Sequence, residues 1–186
     1  MSIVIPQSFK IVQAMEPATD AAGRTSAYVS LKHVRRATIS FHVKQGNAAT
    51  ILLTLLQATA VAGTGSKAIT NNVPIWRNLD CSVNDTLVRD TDAKTYTTDA
   101  AVKNKQVIFQ IDPALCMDLA NSFDCIAFST GASNAANLTV GSGLNISLSK
   151  QQLDATGTNP IVTIANGATI TYRLNFTLSG LGLKCY

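Results

Sequence analysis

The sequence predicts an all-β protein: an antiparallel β-sandwich, jelly-roll-like, with one short connecting helix. Three observations lead to this fold class. Strand-length segments alternate apolar and polar residues, clusters of Gly, Asn, Ser and Pro separate them, and no segment has the length of a helix that crosses between parallel strands. A chain of 186 residues is long enough to bury one core without metal or disulfide cross-links.

Residues 36–44 show the clearest strand pattern. Alternate positions are apolar on one face and polar on the other: Ala37, Ile39, Phe41 and Val43 against Thr38, Ser40 and His42. The turn sequence QGNAA follows at 45–49. Residues 50–61 are apolar on both faces, which is typical of a strand covered on both sides. We expect these two segments to pair as a hairpin.

Further strands are predicted at 107–111 and 123–129 from their apolar alternation. Near the end of the chain, the pair Asn166-Gly167 predicts a hairpin between 161–164 and 170–178. Asp112 before Pro113 predicts the start of a short helix, because Asp caps helices and Pro suits their first turn. The polar stretch 72–100 is predicted to be poor in strands.

We expect a single domain with three parts. Residues 1–26 form an N-terminal arm or edge segment, 27–140 form the sandwich core, and 141–186 form a strand-rich C-terminal extension packed on the same domain. The sequence shows no fixed-period repeat and no linker that divides the chain.

The composition indicates a surface that meets other proteins. Only 14% of the residues are charged, while 46% are apolar, and the chain has 24 Ala, 21 Thr and 13 Asn but a single Glu. This composition excludes a coiled coil and a charged disordered chain. The net charge of +4 reflects few acids rather than many bases. The densest basic group, Lys32, His33, Arg35 and Arg36, is narrower than a nucleic-acid-binding stripe, so we expect a solvated edge or a subunit contact.

No set of residues predicts catalysis, a cofactor or a metal. His33 and His42 are the only histidines, and no nucleophile elbow, phosphate loop or dinucleotide-binding pattern accompanies them. The sequence GTGSK at 63–67 lacks phosphate-loop spacing, and Asp90-Thr91-Asp92 is only part of a calcium loop. The four cysteines, Cys81, Cys116, Cys125 and Cys185, contain no C-x-x-C pair. We expect a protein that is not an enzyme, without a signal peptide or a membrane span.

Several stretches resemble a family of small virion structural proteins of tailed bacteriophages. They are residues 13–34, 45–76, 85–113 and 129–137, which follow in the same order as in the family and include the sequences QGNAAT, QATAVAGTGSKAIT and GASNAAN. The resemblance covers roughly residues 10–140, and residues 141–186 lie outside it.

The resemblance implies a capsid decoration (cement) protein on the outside of the head, made in the host cytoplasm. Its partners would be the major capsid protein and further copies of itself, as a dimer or trimer, with no direct contact to nucleic acid or membrane. The candidate shell or subunit contacts are Lys32, Arg35, Arg36, Trp76, Ile3, Ile5 and Phe9. A tail-tube or other tail or neck subunit is the alternative role, and a host-surface binding module is the second alternative.

Overall fold

The structure, a computed structural model, describes residues 9–147 and the short ranges 152–153, 160–163, 169–171, 177–179 and 182–184. Its contacts divide the chain into two compact units, Met1–Ser147 and Leu148–Tyr186. The strands of the first unit are β1 (Phe9–Thr19), β2 (Arg24–Thr25), β3 (Val29–Ser30), β4 (Arg36–Lys44), β5 (Leu52–Ala58), β6 (Lys67–Ala68), β7 (Val73–Asn78), β8 (Val88–Ala93), β9 (Thr95–Thr97), β10 (Asn104–Ile111), β11 (Cys125–Thr130) and β12 (Leu138–Ser147). Those of the second unit are β13 (Gln152–Leu153), β14 (Pro160–Thr163), β15 (Thr169–Thr171), β16 (Thr177–Ser179) and β17 (Gly182–Lys184).

The first unit is an all-β sandwich of two antiparallel sheets, as the sequence predicts. The first sheet has the order β1-β12-β4-β10-β7-β8. In the second sheet, β11 and β5 form the centre, with β2 and β3 beside β11 and with β6 and β9 beside β5. The chain passes from one sheet to the other between β1 and β2, β3 and β4, β4 and β5, and again from β9 through β12. This alternation is the jelly-roll topology, with β6–β8 inserted between β5 and β9.

The core lies between the sheets and is centred on three aromatic rings. Phe41 packs edge-on against Phe109 and Phe128, with ring centroids 5.7 Å and 4.8 Å away. Phe41 and Phe109 come from the first sheet and Phe128 from the second, so these contacts hold the two layers together. Each edge-to-face pair of this kind stabilises the fold by about 1 kcal/mol beyond the contribution of the apolar area that it buries.

The predicted hairpin of residues 36–44 and 50–61 is wrong. β4 spans Arg36–Lys44 as expected, but it pairs with β10 and β12, while β5 pairs with β11, β6 and β9 in the other sheet. Both hydrogen-bonding edges of β4 are therefore occupied within its own sheet. The outer face of β5 is also only partly covered, since Leu52 is 43% exposed.

The expectation that residues 72–100 are poor in strands is also wrong, because β7, β8 and β9 lie there. β7 places Val73 and Ile75 in the core, each 1% exposed. β8 is an edge strand of the first sheet, so most of its side chains face solvent and are polar.

The short connecting helix forms as predicted. α1 spans Pro113–Cys116, and the Asp112 side chain accepts a hydrogen bond from the backbone N–H of Ala114 at 3.2 Å. A 3-10 helix follows at Leu119–Asn121. No helix among the described residues is long and apolar enough to cross a membrane.

The second unit contains part of the predicted hairpin between 161–164 and 170–178, because residues 177–178 belong to a different strand, β16. β14 pairs with β15 in antiparallel register, with Val162 opposite Ile170, and β16 pairs with β17. The predicted boundary between 140 and 141 falls inside β12. The predicted arm of residues 1–26 includes β1, which pairs with β12 along its length. The packing of the extension on the same domain stays a prediction.

Gly141 gives a test of the core. It lies opposite Phe41 in the ladder between β12 and β4, and a Cβ placed on it would lie 2.1 Å from Cε2 of Phe128. Because that ring is 2% exposed and packed against Phe41, it cannot move aside. We expect Gly141→Ala to lower the free energy of unfolding by about 3 kcal/mol in urea denaturation.

Gly65→Ala is the matched control. A Cβ on Gly65 would meet only the Phe123 ring at 3.7 Å, but its φ of +66° disfavours any other residue. We expect a loss of about 1 kcal/mol from backbone strain. Equal losses for the two variants would contradict the close contact at Gly141.

Candidate functional site

The turn sequences QGNAAT and GASNAAN, which precede β5 and β12, contact each other. Asn137 is fully buried, and its side-chain amide donates to the carbonyl of Ala49 at 2.8 Å and to Oγ of Ser133 at 2.9 Å. Its Oδ1 accepts from the backbone N–H of Asn47 at 2.8 Å. The sequences QGNAAT and GASNAAN therefore fasten the turn before β5 to the turn before β12. Their role in this structure is to hold the fold.

A buried lysine fastens a third segment to the same end of the sandwich. Lys105 is 1% exposed, and its Nζ donates to Oε1 of Gln45 at 2.7 Å and to Oδ1 of Asp99 at 2.6 Å. Gln45 in turn donates to the carbonyl of Asp99 at 2.8 Å. Lys105 and Gln45 are both buried, and each finds hydrogen-bond partners in this network, as burial requires.

A third polar network secures the loop after β1. Asp20 is fully buried, accepts from Oγ1 of Thr139 at 2.6 Å, and pairs with the Arg24 guanidinium at 3.1 Å. Arg24 also donates to the carbonyls of Glu16 and Ala18, which lie on β1 at the edge of the first sheet. These contacts cover part of an edge that would otherwise present free backbone groups.

The outer face of the second sheet carries a row of hydroxyl side chains. Thr25, Ser129, Thr54 and Thr95 stand in register on β2, β11, β5 and β9. Neighbouring strands lie about 4.8 Å apart, so the four hydroxyl groups form a short, evenly spaced line. At the next outward-facing position of β5, the exposed Leu52 lies opposite Thr97 of β9.

This outer face has no charged residue at an outward-facing position of its described strands. The outward positions follow from the alternation opposite the buried core residues, and they are Thr25, Ser30, Leu52, Thr54, Leu56, Ala58, Ala68, Thr95, Thr97, Cys125, Ala127 and Ser129. We call this set the uncharged face. Since it contains no charge, covering it with another protein would not require a charge to be stripped of water.

The loop after β5 covers part of the uncharged face. Tyr28 hydrogen-bonds to Ser66, and a Cβ on Gly63 would lie 2.9 Å from Cε2 of the Tyr28 ring. Ala127 is 1% exposed although it faces outward, so part of the face is covered. The hydroxyl row and Leu52 lie on the part that remains open.

The outer face of the first sheet differs in charge and contains Trp76. Trp76 lies on β7 opposite Ile108 and Arg89, and the Arg89 guanidinium stacks on its ring at 5.4 Å from the centroid. The indole is partly buried, and its Nε1 has no hydrogen-bond partner among the described residues. Arg36 and Lys44 lie exposed on the same face of β4.

The other predicted contact residues are not brought together with Trp76. Lys32, Arg35 and Arg36 are exposed in the loop between β3 and β4 and at the start of β4. Phe9 begins β1. Ile3 and Ile5 lie outside the described residues. Sequence reasoning did not identify the uncharged face, because its hydroxyl row depends on register between strands that are far apart in the chain.

One pair on the first sheet has the residue types of a nucleophile and a base. Ser40 and His42 lie two positions apart on β4, with Oγ and Nε2 3.4 Å apart, and Gln106 donates to the same Oγ at 3.2 Å. No carboxylate among the described residues hydrogen-bonds to His42 to orient its ring. Catalytic triads hold the base with such a third group, so the pair does not form one here.

Asp90 and Asp92 form ion pairs, and Cys116 and Cys125 are buried. Asp90 pairs with Arg77 at 2.6 Å, and Asp92 pairs with Arg89. Among the described residues, no three His, Cys, Asp or Glu side chains are grouped to hold a metal ion. Burial raises the pKa of the Cys116 and Cys125 thiols to about 11, which keeps both protonated at neutral pH.

Comparison with protein-family models gives no match, and comparison with curated proteins gives none. Among solved structures, the SPBc2 prophage-derived protein YomS matches over 73% of this chain and 90% of that chain, at 9% sequence identity and a TM-score of 0.40. A similarity of this size carries no argument about function.

The network around Lys105 predicts a dependence of stability on pH. Burial raises the pKa of Asp99, but the hydrogen bonds from Lys105 and from the backbone N–H of Ala101, together with the charges of Lys105 and Arg77, outweigh burial and lower the pKa below 3.8. Asp99 therefore stabilises the fold above pH 3.8, and this stabilisation is lost as the pH falls through the lowered pKa. We expect the difference in unfolding free energy between wild type and Asp99→Asn, measured in urea, to shrink as the pH is lowered from about 7 to about 2.

Asp85→Asn provides the control, because Asp85 is exposed and makes no ion pair within the described residues. We expect its stability to follow the wild type across the same range. A constant difference between wild type and Asp99→Asn at every pH would overturn the role given to the Lys105 contact.

Proposed function

We propose that this chain is a structural virion protein of a tailed bacteriophage. Its specific role would be that of a capsid decoration (cement) protein that binds the outside of the head and bridges neighbouring major capsid protein subunits. The observation that carries this role is the uncharged face, with its open row of hydroxyl side chains. The sequence resemblance supports the virion setting.

The physical demands of a cement protein suit such a face. A clamp between two capsid subunits adds buried area, and a stable interface buries about 1,600 Å² in total. Threonine and serine can hydrogen-bond to a partner's backbone while their loss of water is less costly than that of charged groups. Many equivalent sites on a shell also strengthen binding through avidity, so each contact can be modest.

The interior contacts fit a protein whose task is mechanical. The networks around Asn137, Lys105 and Asp20 join loops to one another rather than leaving polar groups free for chemistry. We propose a non-enzymatic role, with further copies of the chain as partners in a dimer or trimer and with no direct contact to nucleic acid or membrane.

Binding to expanded, undecorated heads of the phage that encodes the chain tests the proposal. We expect Thr54→Glu to weaken binding about a hundredfold, because it places an unpaired charge in the middle of the hydroxyl row. Thr95→Glu, at an exposed position of the same row, should weaken binding in the same direction if Thr54→Glu folds poorly. Sedimentation of heads with labelled protein measures the bound fraction.

Asn104→Glu is the matched control, since Asn104 is exposed at the start of β10 in the other sheet. It should bind as the wild type does. A wild-type chain that ignores heads and instead forms hexameric rings or tubes would overturn the cement role in favour of a tail-tube subunit. Equal losses for Thr95→Glu and Asn104→Glu would remove the uncharged face as the binding surface.

A further inference from the structure

The loop between β3 and β4 concentrates basic side chains that make no ion pair within the described residues. Elsewhere in residues 9–147, six of the nine lysines and arginines pair with an aspartate, and the three that do not, Lys10, Lys44 and Lys94, lie apart from one another in the chain. Lys32, Arg35 and Arg36 make no such pair, although they fall within five consecutive positions, and His33 lies among them. All four side chains are exposed. We call residues 32–36 the basic loop.

The basic loop is held in a defined shape. Leu31, at its start, is 4% exposed and donates its N–H to the carbonyl of Asp124 at 2.7 Å. The N–H of Val34 donates back to the carbonyl of Leu31 at 2.9 Å, and His33 lies between them in the left-handed region with φ 66°. A loop fixed in this way would lose little conformational freedom on binding a partner.

A cleft of about 370 Å³ adjoins the basic loop at Arg36. It lies where β4 and β7 begin and where β10 ends, and its lining includes Thr38, Pro74, Gln110 and Leu115. Leu115 is 70% exposed, so its side chain is available to an apolar group of a partner. The cleft therefore offers an apolar contact next to the guanidinium group of Arg36, which makes no ion pair within the described residues.

Two acids in the cleft indicate what kind of partner fits. Asp92 and Asp112 both line it, so the cleft is not uniformly positive. A nucleic-acid backbone would bring phosphates against these carboxylates and would make no use of Leu115. A protein segment can place carboxylates on the basic loop and an aliphatic side chain in the cleft. Such a partner matches the positive charge of the loop and the apolar side chain of Leu115.

We propose that the basic loop and the adjoining cleft bind an acidic segment of a partner protein, with carboxylates on Lys32, Arg35 and Arg36 and an aliphatic side chain against Leu115. The contact does not depend on the capsid role, because it follows from the charges and shape of this surface alone. Its cations are exposed, so its affinity falls as salt rises.

Fluorescence anisotropy with two labelled probes tests this inference: poly-L-glutamate and a duplex DNA. We expect the wild-type chain to bind poly-L-glutamate more tightly than DNA at about 50 mM salt and to release it at about 0.5 M. Arg36→Glu should weaken binding of poly-L-glutamate about tenfold. Lys44→Glu should change it less than about twofold. Lys44 is the matched control, because it is exposed on the same face of the same strand and lies at its opposite end.

A copolymer of glutamate and leucine tests the cleft separately. We expect the wild type to prefer it to poly-L-glutamate and Leu115→Ala to lose that preference, since Leu115 is exposed and its replacement leaves the core intact. Thermal unfolding verifies that each variant is folded. The proposal is overturned if DNA is the tighter ligand, if wild type does not bind poly-L-glutamate, or if Arg36→Glu and Lys44→Glu weaken binding equally.

Discussion

The buried side chain of Asn137 is the constraint on which this arrangement depends. By donating to the Ala49 carbonyl and accepting from the Asn47 N–H, it joins the turn that enters β5 to the turn that enters β12. β5 lies in the second sheet and β12 in the first, so this amide links the two sheets at this end. A buried amide that lost these partners would cost about 2 kcal/mol for each unsatisfied group. β5, which carries Thr54 of the hydroxyl row, is entered through this junction.

This constraint also explains why the sequences QGNAAT and GASNAAN serve the fold. In QGNAAT and GASNAAN, Asn47, Ala49, Ser133 and Asn137 contact one another. Gly46 belongs to the same junction, since a Cβ there would lie 2.4 Å from the carbonyl oxygen of Ala136. Residues that contact a partner are therefore expected on the faces and loops, where side chains can vary without unfolding the sandwich.

The sequence predicted the elements whose causes are local. The alternation in β4 and the Asp112 cap of α1 each depend on neighbouring residues, and both formed as expected. The pairing of β4 was mispredicted because a turn between two apolar segments does not reveal whether the chain stays in one sheet or crosses to the other. β8 was missed because an edge strand is free to carry Arg89, Asp90 and Asp92, which suppress the apolar pattern. The hydroxyl row was out of reach, since it requires the register of four strands.

The uncharged face and the basic loop would contribute differently to one assembly. Small hydroxyl and alkyl groups supply contact area at low desolvation cost, but they orient a partner weakly because many registers of contact have similar energy. Charges at the edge of an interface act at longer range, so they select the orientation and speed the encounter. Arg36, at the first position of β4, belongs to a loop that leaves the second sheet and enters the first. It is thus fixed relative to the uncharged face through the sandwich itself. A partner held by both surfaces would be oriented by the loop and retained by the face, which predicts that salt slows its association more than it hastens its release.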